Sequence, residues 1–353
     1  MKKKIIVLAL AAATTTIMTT TAKACSRMTL DTPYGVSQVR TLDWGEKLGT
    51  VAIVTPVGTA VTTKAVPSYG NSASWTVKYP TLNLEEREVF VDTSGEAINS
   101  EGLSASTLYL YDSQAFIKDY KDTGAPAVNW GDAAAFMAQN FKTVQEAVSA
   151  FNANEFQFAW ADGIHGTQHG LHISVQDKSG DIALFELNDG GKMVVHRGSV
   201  NDKMRVMANA PLQQFHDANA EKIGDLAVLE NGHKIGSTIS SPERMLRGLY
   251  NSEHIRFSPQ ATWAQTEGKL QSTFDAGNLV PQDIIDPANG ETYATWIQYT
   301  YNLENGSFKM RNMDTYSDIR INLHELASIN TVSCADLVEQ AEVSGTATFT
   351  PCK

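Results

Sequence analysis

Residues 1–24 carry the marks of an export leader, and the point where that leader ends constrains everything the remaining chain can build. Lys2, Lys3 and Lys4 form a charged start, Ile5 to Ala13 an apolar run, and Ala22-Lys23-Ala24 the small-x-small tripeptide that a signal peptidase reads. Removing 24 of the 353 residues leaves a mature chain of 329 that begins Cys25-Ser26-Arg27. A thiol and a free α-amine would then sit on one residue. An unperturbed α-amine has a pKa of roughly 8, so it can act as base for the adjoining thiol without a distant histidine.

Position alone leaves three readings of Cys25 open. It can be the acylated cysteine of a lipoprotein, although Thr21-Ala22-Lys23-Ala24 lacks the leucine usual three residues before such a site and has an unusual lysine two before it. It can be a structural cysteine that happens to follow the cut, or it can be a nucleophile. The other two cysteines, Cys334 and Cys352, have seventeen residues between them. Pairing them leaves Cys25 as a free thiol in an oxidising compartment, and closing a loop of that size stabilises by roughly 3 kcal/mol in the chain-entropy treatment. No C-x-x-C is present, which argues against zinc.

The leader holds four lysines and no acid, so the mature chain has 24 basic residues against 39 acidic ones, a net charge of −15. Such a surface suits neither nucleic acid nor an anionic membrane. No second stretch approaches the roughly 18 apolar residues of a membrane span. The expectation is a soluble protein, periplasmic or secreted once the leader is removed.

No repeat, low-complexity tract or linker divides the chain, which points to one domain over residues 25–353. Val, Thr and Ile enrichment from Ser26 to Thr63, broken at Pro33-Tyr34-Gly35, predicts a hairpin with a returning strand from Val36 to Arg40. Helices are expected over Asp132–Asn140, from the capping box Thr143-Val144-Gln145-Glu146 to about Asn152, from an N-cap at Ser241 through Pro242 and Glu243 to about Tyr250, and over Gln260–Phe274. An antiparallel meander is predicted from Leu171–Val175, Ile182–Leu187 and Met193–His196. A further pair, Thr295–Asn302 and Phe308–Asn312, turns at Asn305-Gly306. Runs of strands alternating with runs of helices indicate an α+β class with antiparallel sheet.

Cys25, Val39-Arg40-Thr41-Leu42-Asp43-Trp44, Met207-Ala208-Asn209-Ala210-Pro211 and Ser241-Pro242-Glu243-Arg244 together resemble the choloylglycine hydrolase and penicillin V acylase family of N-terminal-nucleophile amidases. The resemblance runs through nearly all of the mature chain. It departs from the family pattern at Ala208, where threonine is usual, and at Met245, where phenylalanine is. It implies a four-layer αββα sandwich, a homotetramer and no cofactor. It also implies roles: Cys25 as nucleophile, Asp43 as acceptor for its ammonium, and Arg40 as a nearby positive charge. Asn209 and the backbone N–H of Tyr109 would form an oxyanion hole, ordered by Arg244. Trp44 and Tyr111, with Tyr109 and either Trp160 or Trp75, are the aromatic candidates for an acyl pocket. The implied substrate is a small N-acyl amide, penicillin V or an N-acyl homoserine lactone, with conjugated bile salts as the alternative within the same chemistry. A non-catalytic exported or lipid-anchored binding protein is the alternative outside it.

Other patterns carry less. His165, His169 and His172 have a spacing that would face a metal on a helix, but Gly163, Gly166 and Gly170 make a helix there a poor reading. Neither a G-x-S-x-G elbow nor a G-x-G-x-x-G loop occurs, so serine-hydrolase and nucleotide readings have no support.

Overall fold

The computed structural model describes residues 25–353 apart from 91–92, 161–166 and 287–289, so the leader and His165 lie outside the described residues. The hairpin expected at Pro33 forms, with Ser26–Thr32 pairing antiparallel to Gly35–Trp44. Gly35 takes φ +87°, a left-handed conformation that a side chain would oppose. The returning strand does not stop at Arg40. It continues to Trp44 because its far edge pairs with Ala294–Asn302, which holds it in a six-stranded sheet. The order is Val206–Ala208, Ser26–Thr32, Gly35–Trp44, Ala294–Asn302, Ser307–Asn312 and Ser317–Asn322.

The predicted meander appears as Leu171–Asp177, Asp181–Asn188 and Lys192–Ser199. It is one end of a nine-stranded sheet that continues through Leu103–Tyr109, Thr93–Asn99, Thr81–Glu86, Val51–Thr55, Ser333–Asp336 and Thr350–Pro351.

Side-chain alternation along these strands stacks the layers. Met28, Leu30 and Val39 pack against Met245, Leu249, Leu270 and Phe274 of the helices Ser241–His254 and Trp263–Asn278. Leu42, Trp44, Tyr299, Tyr301 and Phe308 face the second sheet and meet Leu82, Leu84, Ile98 and Leu108. The outer face of that sheet, with Ala97, Ala105, Ile173 and Phe185, is covered by Phe136, Met137 and Val148 from the helices Ala133–Asn140 and Val144–Asn152. The result is the αββα sandwich.

Helix boundaries shift where local hydrogen bonding outweighs composition. The helix expected from Gln260 starts at Trp263, because Thr262 and Gln265 form a reciprocal capping box. Ser241 is the first helical residue rather than the cap. Ser240 holds the cap position without a side-chain bond to the helix, while the Glu243 carboxylate turns back to Thr238 N (2.6 Å) and Oγ1 (2.8 Å). At Thr143 the hydroxyl accepts from Glu146 N (3.1 Å), but Glu146 reaches Lys142 N (2.7 Å), so the box is one residue wider than expected.

No helix among the described residues is long and apolar enough to cross a membrane. Cys334 and Cys352 form a disulfide that ties the C-terminal strand to its neighbour. Replacing both cysteines by alanine is expected to lower stability by about 3 kcal/mol, read as a lower midpoint in reversible urea unfolding with the fold otherwise retained.

Candidate active site

Cys25 lies directly before the strand Ser26–Thr32, the second strand of the six-stranded sheet, flanked by Val206–Ala208 and Gly35–Trp44. Its neighbours follow from strand alternation. Arg27 and Arg40 are directly opposite one another and project toward the second sheet, on the side where Cys25 joins the inter-sheet core. Ser26, Thr41 and Asp43 project toward the helices. Arg40 and Asp43, three residues apart on one strand, therefore approach Cys25 from opposite faces.

On the inter-sheet side, Arg40 Nη1 contacts Glu96 Oε2 at 2.7 Å and Gly95 O at 2.6 Å, and Nη2 donates to Thr107 O at 3.0 Å. Both partners of the ion pair are fully buried. Burial, the largest influence on Arg40, works against its charge, but Glu96 by charge and hydrogen bond, together with Cys25 and Tyr299, more than offsets it and holds the guanidinium charged. The Cys25 thiol is pushed up by burial. Arg40 is the largest influence in the opposite direction, the Asp43 charge adds to the rise, and the Asp43 backbone N–H and Arg244 oppose it.

On the helix side, Arg244 is the hub. Its Nε donates to Ile239 O (2.8 Å), its Nη1 to Cys25 O (3.0 Å) and to the Ser26 hydroxyl, and its Nη2 to Asn209 Oδ1 (3.4 Å). Asp43 Oδ2 lies 3.6 Å from Arg244 Nη1 without a hydrogen bond, while Oδ1 accepts from Thr295 Oγ1 at 2.7 Å. Burial raises the Asp43 carboxyl to about 6, with Arg244, Thr295 and Thr41 acting to lower it.

Asn209 follows the edge strand Val206–Ala208, which pairs with Ser26 and its neighbours. Its Oδ1 accepts from the Cys25 nitrogen, and its Nδ2 donates to Tyr109 O at 2.6 Å. One amide hydrogen of Asn209 is thus committed to Tyr109, and Asn209 rather than Asp43 receives the Cys25 nitrogen. The structure brings Cys25, Arg40, Asp43, Tyr109, Asn209 and Arg244 to one place from five separate segments.

A small apolar cavity of about 50 Å³ opens at Cys25 between the sheets, walled by Leu42, Trp44, Leu48, Phe90, Tyr109 and Leu171. Trp44 packs on Phe90 (ring centroids 4.4 Å) and edge-on to Tyr109 (6.0 Å). Tyr111 is not part of it. Two residues after Tyr109 the strand has ended, and Tyr111, 48 % exposed, starts the short helix Tyr111–Gln114 beside a separate open groove with Phe116 and Phe215. Trp160 stacks on Trp130 and Trp75 packs on Phe136, both under the outer helices, so neither reaches the cavity.

Sequence reasoning missed three supporting groups. Glu96, the partner of Arg40, is 56 residues away with no motif to mark it. His216 Nε2 donates to Asn209 O at 2.9 Å, and burial lowers its pKa to about 4, so the ring is a neutral brace. Glu186 accepts from Gln213 N with both oxygens (3.1 and 3.2 Å) at the start of the helix Gln213–Ile223, where Leu212 offers no cap, and also contacts His172 (3.3 Å). Residues set seven apart across a helix start, as Asn209 and His216 are, give a legible signal only once the helix is placed. His172 belongs to that strand-borne cluster, and the described residues contain no group of three His, Cys, Asp or Glu able to hold a metal.

Residues 25–232 match the model for the linear amide C–N hydrolases of the choloylglycine hydrolase family. The chain is 28 % identical over 260 residues to a penicillin V acylase of Pectobacterium atrosepticum, an alignment covering 70 % of this chain and 65 % of that relative, just under two thirds of its length. Its fold is similar to a penicillin V acylase from Agrobacterium tumefaciens (TM-score 0.75, 22 % identity, 93 % of this chain and 98 % of that one). It is also similar to a mutant conjugated bile acid hydrolase from Clostridium perfringens (TM-score 0.70, 15 % identity, 93 % and 100 %).

Removing one partner of a buried pair strands the other charge, at a cost of about 3–5 kcal/mol. Glu96→Ala is therefore expected to destabilise the protein by that amount in urea unfolding, and more than Arg40→Met, which leaves a carboxyl that can take up a proton.

Proposed function

The chain belongs to the choloylglycine hydrolase family of linear amide C–N hydrolases, and on that premise we propose that it is an exported amidase, cut ahead of Cys25, that hydrolyses N-acyl amides through a thioester on the Cys25 sulfur. The observation that carries this reading is the placement of Cys25, with its thiol between the Arg40 charge and an apolar cavity and its backbone held by Arg244 and Asn209. Two features support the cut: the leader pattern of residues 1–24, and a family match that begins at residue 25.

In the full-length chain the Cys25 nitrogen is an amide, and its hydrogen goes to Asn209. Cleavage makes it an amine that takes the thiol proton, and Asp43 Oδ2, which faces Arg244 at 3.6 Å but accepts no hydrogen bond, is the acceptor for the resulting ammonium. The sulfur adds to the acyl carbon. The uncommitted Asn209 amide hydrogen and the Tyr109 backbone N–H serve the developing oxyanion, each such donor typically supplying about 3 kcal/mol. The C–N bond breaks as the leaving nitrogen takes the proton from the α-ammonium. Water then adds to the thioester carbon and gives a proton to the α-amine, and rupture of the C–S bond releases the acid and restores the thiol.

The cavity is small and its walls are apolar and aromatic, which favours a flat phenoxyacetyl group or a medium acyl chain, as in penicillin V and N-acyl homoserine lactones, over a bulky polyhydroxylated acid. Export to the periplasm or outside the cell is part of the same proposal.

One preparation assayed on penicillin V, an acyl homoserine lactone and glycocholate is expected to turn over the first two in preference to the third; preferred cleavage of glycocholate would overturn the substrate choice. Cys25→Ala should remove essentially all activity and Cys25→Ser most of it, in variants whose intact mass begins at residue 25. A lipid adduct on Cys25, or wild-type rates in Cys25→Ala, would end the proposal. Burial lifts the Asp43 carboxyl to about 6 in the uncut chain; the ammonium created by cleavage draws it back down, so Asp43 gains a proton and loses its hold on the ammonium only as pH falls below that value. Protonation of the α-amine lowers kcat/KM on the acid side, and loss of the Asp43 charge should steepen that fall below roughly 6; Asp43→Asn should remove the added steepness at a lower overall rate.

A further inference from the structure

Glu86 ends the strand Thr81–Glu86 on the inter-sheet face, in line with Leu82 and Leu84, and it lines the cavity at Cys25 while being 5 % exposed. A carboxyl among leucines and aromatic rings is costly unless its oxygens are satisfied. Four backbone N–H groups satisfy it: Gly49 (3.2 Å) and Glu88 (3.2 Å) donate to Oε1, and Val89 (2.7 Å) and Phe90 (2.6 Å) donate to Oε2. All four partners are donors, which matches the four acceptor positions of a carboxylate and suits no amide or hydroxyl.

The donors come from two chain segments far apart in sequence, and each carries a wall of the cavity. Leu48 precedes Gly49, and Phe90, whose own nitrogen is bound, lies against Trp44. We propose that Glu86 is a positioning residue for acyl specificity: it ties the Leu48–Gly49 segment to Glu88–Phe90 and so fixes the width of the slot between Leu48, Trp44 and Phe90. Held at that width, the slot admits a flat aryl or unbranched alkyl acyl group and disfavours a branched or fused-ring one. The inference rests on the amidase reading for its substrate consequence, but the tie itself is independent of turnover.

Glu86→Gln keeps the shape and replaces one acceptor oxygen with a donor that faces two N–H groups. Two measurements on wild type and variant decide the matter. In hydrogen exchange, peptides covering 46–50 and 87–90 should exchange at least about tenfold faster in the variant, with protection elsewhere unchanged; Glu86→Asp, which keeps the charge but shortens the reach, should fall between. In a series of amides with one leaving group and acyl groups of increasing bulk, the preference for phenoxyacetyl over a branched or fused-ring acyl group should shrink by about tenfold or more. The change should lie mainly in KM. Unchanged exchange in both segments overturns the tie, and an equal loss for every acyl group overturns the specificity role. Should wild type cleave no N-acyl amide, the amidase reading fails while the exchange result still judges the tie.

Discussion

The ion pair between Arg40 and Glu96 bridges the gap between the two sheets beside the Cys25 sulfur, and the polar interior is arranged around it. Glu96 also accepts from Ser106 Oγ at 2.9 Å and from the Tyr301 hydroxyl, and Gln38 completes the group. Arg27 sits opposite Arg40 on the next strand, and burial together with Arg40 lowers its pKa to about 10 despite Tyr301 and Glu96. Arg27 feels the Glu96 charge without pairing to it, its own donors going to Thr29 and to Met204 O (2.9 Å). A fully apolar layer of the same volume would be at least as stable, so stability does not explain this arrangement. On the amidase reading proposed above, the Arg40 charge beside the buried thiol does, because burial alone would hold the sulfur protonated.

What the sequence revealed follows from which forces act locally. The hairpin at Pro33, the meander from Leu171 and the cap at Thr143 were legible because turn chemistry and period-two alternation are written into consecutive residues. The strands Val51–Thr55, Thr81–Glu86 and Thr93–Asn99 were not anticipated. They are covered on both faces, so polar residues such as Asn83, Ser94 and Glu96 are buried and the alternation that marks a half-exposed strand is lost. The site shows the same division. Cys25, Arg40, Asp43, Asn209 and Arg244 were found through their motifs and converge in space, whereas Glu96, His216 and Glu86 act through long-range partners that no local pattern encodes.

Tyr111 shows why spacing alone misleads at the end of a strand. Alternation would place it on the same side as Tyr109, but the strand ends at Tyr109 and the chain coils into a helix at Tyr111. That turn is fixed by Leu110 N bonding to Gly170 O at 2.8 Å and Ser113 N to Leu110 O at 3.3 Å. The aromatic surface lost at Tyr111 is supplied instead by Phe90, from a segment whose path depends on the Glu86 carboxyl.

On the function proposed above, the resting state of Cys25 ties reactivity to processing. The thiol is raised by burial, and Arg40 and Arg244 oppose that rise without reversing it. A sulfur in that condition needs a base within reach, and His216 is committed through Nε2 to Asn209, where it braces the backbone. An amide nitrogen at Cys25 is a donor and has no proton affinity to offer. Cutting the peptide bond ahead of it creates the missing base in place, at a nitrogen already positioned by Asn209 and near a carboxylate oxygen with no other hydrogen bond. The fold can therefore be complete while the chain is still inert, and the chemistry begins when one bond outside the fold is broken.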